Sequence, residues 1–127
     1  MSDIELAIEQ LKNPDPRIRR EAAKRLGVLG DSGALSALQK ALDDDSVAVV
    51  RTAILAIGTI GGCETRAILE PLLQHDTLWI RKAAVEALGK ANCAEAAPTL
   101  VNLLDNTTLN ALAREALVAL KVDPDFF

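Results

Sequence analysis

Four ten-residue segments carry their apolar residues on one face of a helix. They read IRREAAKRLG (18–27), VVRTAILAIG (49–58), IRKAAVEALG (80–89) and LAREALVALK (112–121). In the first three, apolar residues lie nine, five, four and one positions before a closing glycine. This spacing follows the 3.6-residue period and predicts an α-helix for each segment. Gly27, Gly58 and Gly89 recur with a period of 31, and the degraded fourth segment ends at Lys121, one position later than this period predicts.

A shorter apolar pattern precedes each of these segments and predicts a first helix for every second helix. Each closing glycine is expected to end its helix in the left-handed conformation, which costs a residue without a Cβ little. Pro98 suits the first turn of its helix, whereas Pro71 lies deep in one and is expected to bend or shorten it. The predicted helices lie near 3–12, 16–27, 33–42, 46–58, 64–73, 77–89, 95–104 and 108–121.

The fixed period predicts a stacked-repeat architecture, because a unit of this size cannot bury its apolar face alone. The fold class expected is all-α, a right-handed α-solenoid of four stacked helix pairs with period 31. The whole of 1–127 is then a single repeat domain. Its repeats lie near 3–30, 31–61, 62–92 and 93–121, and a C-terminal tail occupies 122–127.

The residues also carry a family resemblance. The pattern Asp-x-x-x-[Val/Ile]-Arg-x-x-Ala-[Ala/Val]-x-x-Leu-Gly resembles the HEAT-like repeats named after the phycobilisome lyases, and the likeness spans residues 4–120. The family's arginine falls on Arg19 and Arg81, where the resemblance implies a structural bridge to acids of the neighbouring loop. Val50 and Ala113 replace it in the other two repeats, so the resemblance implies an incomplete ladder of bridges.

Charge is sorted between the two sets of helices. With the residue before each segment included, the second helices hold ten Lys or Arg and three acids, while the whole chain has a net charge of −4. The family resemblance implies that second helices line a concave groove, so this groove is expected to be basic and to attract an acidic partner. The candidate partner-binding residues are Arg17, Arg20, Lys24, Arg51, Leu55, Trp79, Lys82 and Arg114.

Two parts of this prediction have alternatives. Trp79 is the only tryptophan, and a tryptophan among arginines is typical of an interface hot spot. Packing of Trp79 over the adjacent repeat explains it as well. The terminal pair Phe126-Phe127 is the main competing surface, because an uncapped last repeat leaves an apolar face.

The sequence predicts neither catalytic residues nor a bound cofactor or metal. His75-Asp76 has no nucleophile placed beside it by sequence, so Asp76 is interpreted as a helix cap and His75 as an exposed loop residue. Cys63 and Cys93 are too few for a zinc site. Stacked repeats set equivalent points about 8–10 Å apart, and a disulfide needs Cα atoms within about 7 Å. We therefore expect two free thiols.

These observations favour a non-catalytic scaffold or adaptor that binds another protein with an acidic surface. The alternative class is a phycobiliprotein-associated factor or bilin lyase subunit, for which a bilin or phycobiliprotein is the partner and any activity is of the lyase type. A consensus-like repeat binder is a third interpretation, against which Val50, Pro71 and the degraded fourth repeat argue. Nucleic acid is disfavoured by the acidic composition. A cytoplasmic protein without membrane contact is expected, since the N-terminus resembles neither a leader nor an anchor.

Overall fold

The computed structural model describes residues 1–122, in which helices alternate with short connections and no strand occurs. The competing terminal pair Phe126-Phe127 and the tail from residue 123 onward lie outside the described residues. The α-helices are α1 (Asp3–Gln10), α2 (Pro16–Leu29), α3 (Leu35–Ala41), α4 (Val47–Ile60), α5 (Arg66–Leu69), α6 (Leu78–Lys90), α7 (Ala97–Asn102) and α8 (Asn110–Ala119). This order confirms the all-helical fold class.

The first helix of most repeats is short and is extended by 3₁₀ turns. In the third repeat α5 ends at Leu69 and the chain continues as a 3₁₀ segment over Glu70–Gln74. This confirms the expectation for Pro71, which has no N–H to donate to an α-helical carbonyl. Pro98 lies in the first turn of α7, also as expected.

The helices form a stack of pairs. The helices α2, α4, α6 and α8 pack against one another in succession, and first helices pack on the second helix of their own repeat. Leu26, Ile54 and Leu88 are fully buried between them, so the segments that predicted second helices supply the continuous core. Stacking of equivalent helices is the arrangement that the period requires.

The closing glycines do not end their helices, which corrects the prediction from sequence. Gly27, Gly58 and Gly89 lie inside α2, α4 and α6, are buried, and lack a positive φ. A Cβ added to Gly58 would lie 2.7 Å from the Cα of Ala87 on the next second helix. Gly27 meets Ala56 in the same way. The glycines are needed because the next helix approaches too closely for a side chain.

The residues that end the second helices lie a few positions later. Gly30, Gly61, Asn92 and Lys121 have φ values of 69°, 77°, 57° and 63°. A positive φ, which the α-helix does not allow, stops the helix at each of these places, and two of the four residues are not glycine. The first three follow the same period as the closing glycines.

The fourth repeat is out of the expected register. Gly27 faces Ala56 and Gly58 faces Ala87 at the same offset, but Gly89 faces Ala116, two positions earlier than that offset would give. Ala116 therefore corresponds to Ala87. Val118 occupies the position that Gly27, Gly58 and Gly89 hold in the other repeats, and these three residues are called the stacking glycines from here on. Val118 is 62% exposed, since no further helix of the described chain lies on it. In the alignment predicted from sequence, Lys121 is the equivalent of the glycine. That position is about one helical turn beyond Val118, which holds the place of the glycine in the structure.

The prediction of two free thiols is wrong in this structure. Cys63 and Cys93 form a disulfide, and their Cα atoms are 5.0 Å apart. The spacing of about 8–10 Å applies to the axes of packed helices, but both cysteines lie in the connections that follow α4 and α6. There the Gly62 N–H donates to the Ala91 carbonyl at 2.8 Å, which brings the two connections together.

Candidate functional site

A partly buried ion pair links Arg19 of α2 to the connection that follows α3. Arg19 donates to both carboxylate oxygens of Asp44, at 2.9 and 3.1 Å, and to the Asn13 carbonyl at 2.8 Å. Burial opposes ionisation of Asp44, but the hydrogen bonds from Arg19 and from the Ser46 N–H outweigh it, and the pKa of Asp44 is lowered. The predicted structural bridge is confirmed for Arg19.

Arg81 makes only part of this arrangement. Its guanidinium donates to the carbonyls of His75 and Asp76 at 2.6 and 3.1 Å, and no carboxylate of residues 1–122 lies within 4.0 Å of it. Arg81 lies two periods after Arg19, and the residue two periods after Asp44 is Asn106. Asn106 carries no charge, so the predicted bridge to an acid is not formed by Arg81.

A side-chain turn in the loop before each second helix recurs in every repeat and was missed at the level of sequence. At Asn13, Asp44, His75 and Asn106, spaced by one period each, the side chain accepts a hydrogen bond from the backbone N–H two residues further on, at 2.9–3.0 Å. His75 uses its Nδ1 atom for this, with the Thr77 N–H as donor. The N-cap of α6 is Thr77 and, within residues 1–122, no side chain caps the helix, so the assignment of the cap to Asp76 is wrong.

The exposed surface of the second helices is named here the groove face. It comprises the residues seven before, three before and one after each stacking glycine. Stacking of α2, α4 and α6 brings these residues side by side. They are Arg20, Lys24, Val28, Arg51, Leu55, Thr59, Lys82, Glu86 and Lys90.

Three cations form a row along the groove face. Arg20, Arg51 and Lys82 are each exposed and occupy the same position on successive helices. Arg51 reaches Glu86 of the next helix at 3.8 Å, and the two side chains are 55% and 41% exposed. Lys82 has no carboxylate of the described chain within 4.0 Å. The row is thus basic, but Glu86 partly neutralises its centre.

An apolar depression lies beside this row. It has a volume of about 320 Å³ between α2 and α4, and its lining includes Lys24, Val28, Leu55 and Ala56. Val28 is 76% exposed, although it is apolar. Small residues form the floor because the helices touch there at Gly27 and Ala56. The combination can hold an apolar side chain next to a row of positive charge.

The remaining candidates lie at the margins of the groove face. Arg17 is largely exposed and pairs with Asp15 at 3.2 Å. Trp79 is half-buried and packs against the core, so only part of its ring is accessible. Arg114 is exposed on α8, but in the register set by Ala116 it corresponds to the buried Val85 and not to Lys82. Counting from Lys121 in the fourth segment makes Arg114 the equivalent of Lys82, but this equivalence is wrong, and Arg114 lies outside the basic row.

Two other features bear on the function classes. Within residues 1–122, Cys63, Cys93 and Glu95 are the one group whose possible metal-ligand atoms lie within 4.8 Å of one another. The two sulfur atoms are bonded to each other in this structure. None of the helices that the structure describes is both long and apolar enough to cross a bilayer.

Comparison with known proteins defines the class. The family model for HEAT repeats matches residues 3–58 and 49–121. Together these matches cover almost all of the described chain, and the chain belongs to the HEAT-repeat family. No curated protein matches it.

Solved structures place it among helical solenoids. The chain is similar, with a TM-score of 0.75 and 28% identity, to a structure of the complex of CpcE and CpcF of phycocyanin lyase from Nostoc sp. PCC7120. That match covers 94% of this chain and 53% of the other, so the chain spans about half the length of its relative. Two engineered proteins match over 99% of the chain with TM-scores of 0.67 and 0.61, each at 24% identity, and cover 65% and 39% of those proteins.

Proposed function

We propose that the protein is a scaffold or adaptor that binds another protein through the groove face. The observation that carries this proposal is the row of Arg20, Arg51 and Lys82 beside an exposed apolar depression. A partner with an acidic segment and an adjacent apolar side chain matches both features. The charges would mainly speed encounter, and the apolar contact would hold the partner in place.

Packing does not require positive charge at these positions, which supports a role in recognition. All three side chains are exposed, and within residues 1–122 only that of Arg51 forms an ion pair with a neighbouring second helix. An ion pair this exposed contributes at most about 1 kcal/mol to stability. Trp79, Arg17 and Arg114 remain candidates at the edge of the surface, and their contribution to binding stays a prediction.

The experiment compares charge reversals on the two faces. In chemical cross-linking with an extract of the source cell, the double variant Arg51→Glu/Lys82→Glu should lose the partner that the wild-type chain captures. The matched control, Lys12→Glu/Lys40→Glu, makes the same change of charge on the surface formed by the first helices and should retain it. If both variants keep the same partner, or both lose it, the groove face is not the binding surface.

The second candidate is a factor associated with phycobiliproteins, or a bilin lyase subunit. The similarity to the CpcE and CpcF complex of phycocyanin lyase supports it. Mixing the protein with free bilin and an apo-phycocyanin subunit tests it by absorbance. A bilin spectrum that depends on this protein, and that shifts on transfer to the apo-subunit, supports lyase function. An unchanged spectrum with retained binding of the apo-subunit supports the adaptor.

A further inference from the structure

The cross-link between Cys63 and Cys93 joins two consecutive connections between repeats. Cys63 follows α4 and Cys93 follows α6, so the 30-residue separation encloses the whole third repeat. Nothing in the groove face or in the repeat pattern requires a covalent bond there. No other repeat junction of the described chain has one, because the equivalent positions, Ser32 and Ala94 included, hold no further cysteine.

The two connections are held together without the sulfur atoms. The Gly62 N–H donates to the Ala91 carbonyl at 2.8 Å, and the Thr65 hydroxyl donates to the Gly62 carbonyl at 2.8 Å. Thr65 is fully buried. The first bond ties the two connections to each other, and the second fixes the backbone next to Cys63, so the thiols of the reduced protein should stay close enough to form the bond again.

The two sulfur-bearing residues differ in accessibility. Cys63 is exposed, while Cys93 is only 2% exposed. A small molecule can therefore reach Cys63 but not Cys93 in the folded chain. This is the arrangement of a pair in which one cysteine exchanges with an external thiol and the other resolves the mixed disulfide.

We propose that Cys63–Cys93 is a reversible thiol–disulfide exchange site for a low-molecular-weight thiol of the glutathione class. In reduction, a thiolate attacks the Cys63 sulfur, the bond to Cys93 breaks, and the Cys93 thiolate takes up a proton. A second thiolate attacks the external sulfur of the mixed disulfide and releases Cys63, which is also protonated. The protein gains two electrons and two protons, and two external thiols become one disulfide. Oxidation by glutathione disulfide is the reverse.

Glu95 is the third possible metal ligand beside the two sulfur atoms. Its carboxylate lies within 4.8 Å of both sulfur atoms, but it is exposed and pairs with Arg66 at 3.5 Å. Two thiolates and one carboxylate would leave a divalent cation one protein ligand short of a closed tetrahedral site. The pair of sulfur atoms is thus the reactive unit, and Glu95 is a charged neighbour.

The test uses the full chain after reduction. With limiting iodoacetamide, peptide mass spectrometry should show Cys63 alkylated faster than Cys93 by on the order of tenfold, since exposure controls access to the thiolate. With glutathione disulfide, Cys93→Ser should trap one glutathione on Cys63, and Cys63→Ser should trap none on Cys93. Circular dichroism checks that both variants keep their helices. The alkylation experiment uses the wild-type protein, so it tests the proposal even if a variant fails to fold.

Three results would overturn the proposal. Equal alkylation of the two cysteines would remove the assigned roles. Failure of the reduced wild-type chain to re-form the bond in a glutathione buffer would show that the site is not reversible. Stoichiometric zinc that stays on the reduced protein through dialysis, and is lost in Glu95→Gln, would assign the cluster to a metal instead.

Discussion

Replacing Gly58 with alanine tests the closest contact in the stack. The added Cβ would lie 2.5 Å from the Ala87 carbonyl oxygen, 2.7 Å from its Cα and 2.9 Å from its Cβ. Ordinary contacts are no shorter than about 3.5 Å, so α4 and α6 would have to move apart by roughly 1 Å. The nearest atoms belong to the backbone, and a change of rotamer cannot relieve the clash.

The expected cost combines two opposing terms. Overpacking a well-packed core costs about 1–3 kcal/mol, while alanine is about 1 kcal/mol better than glycine inside a helix. Because the clash is with backbone, we expect the upper end of the first range and a net loss of about 2 kcal/mol. For a chain of this size that corresponds to a fall in Tm of roughly 8 °C.

Thermal and urea unfolding followed by circular dichroism measure this loss. Gly89→Ala and Gly27→Ala should cost less than Gly58→Ala, because their closest contacts are 2.8 and 2.9 Å. Val118→Ala is the matched control at the equivalent exposed position and should stay within about 0.5 kcal/mol of wild type. If Gly58→Ala is as stable as wild type, close approach is not the reason for glycine, and the stacking argument fails.

The other predictions concern the loop ion pair, the cross-link and the groove. Asp44→Asn keeps an oxygen for the Ser46 N–H but loses the charged bond to Arg19, so urea unfolding at neutral pH should show a loss of about 1–3 kcal/mol. The pKa of Asp44 is lowered on folding, so its contribution to the free energy of unfolding is complete above the unfolded value of about 3.8 and is lost as pH falls through the folded pKa. The difference in stability between variant and wild type should therefore shrink in acid, and a difference that stays constant with pH would contradict this. Reduction of Cys63–Cys93 removes a cross-link with a 30-residue separation and should lower stability by about 4 kcal/mol on the chain-entropy estimate, measured by unfolding with and without reductant; Cys63→Ser, as the control, should be insensitive to reductant. Trp79→Ala should weaken binding of a groove partner by about 2 kcal/mol if the ring is an anchor, whereas an unchanged Kd together with a lower Tm would assign Trp79 to packing.

Helix positions and stacking order could be predicted because they rest on local pattern. The 3.6-residue period located all four second helices, and Pro71 correctly indicated where the helix of the third repeat shortens. Sequence position alone does not show why residues 27, 58 and 89 are glycine. A glycine near a helix end satisfies both a left-handed terminator and a close helix contact. The sequence did hold a signal, since Gly30 and Gly61 come three positions after Gly27 and Gly58 and supply the terminators.

Distance and register account for two further errors, the expectation of free thiols and the alignment of the fourth repeat. The spacing of helix axes does not fix the distance between Cys63 and Cys93, because connections between repeats can approach more closely than the helices they join. The last apolar residues of the fourth repeat do not fix its register. The better signal is the repeated Glu-Ala-Leu, which occurs at Glu86–Leu88 and again at Glu115–Leu117. This alignment pairs Ala116 with Ala87, places Val118 where a glycine stood and removes Arg114 from the basic row.

Several positions of the repeat, each at a fixed offset within it, have a structural role. Once these positions are set aside, the remaining exposed positions are the ones that can serve recognition. Gly58 represents the offset for close helix contact, Gly61 the offset for helix termination and His75 the offset for the side-chain turn in the loop. Substitution at these offsets is limited by packing or backbone geometry. The offset of Arg51 carries none of these requirements, because its side chain is exposed and its ion pair with Glu86 is weak. Three cations in succession at an offset that the fold does not restrict need another explanation, and binding of an acidic partner provides one.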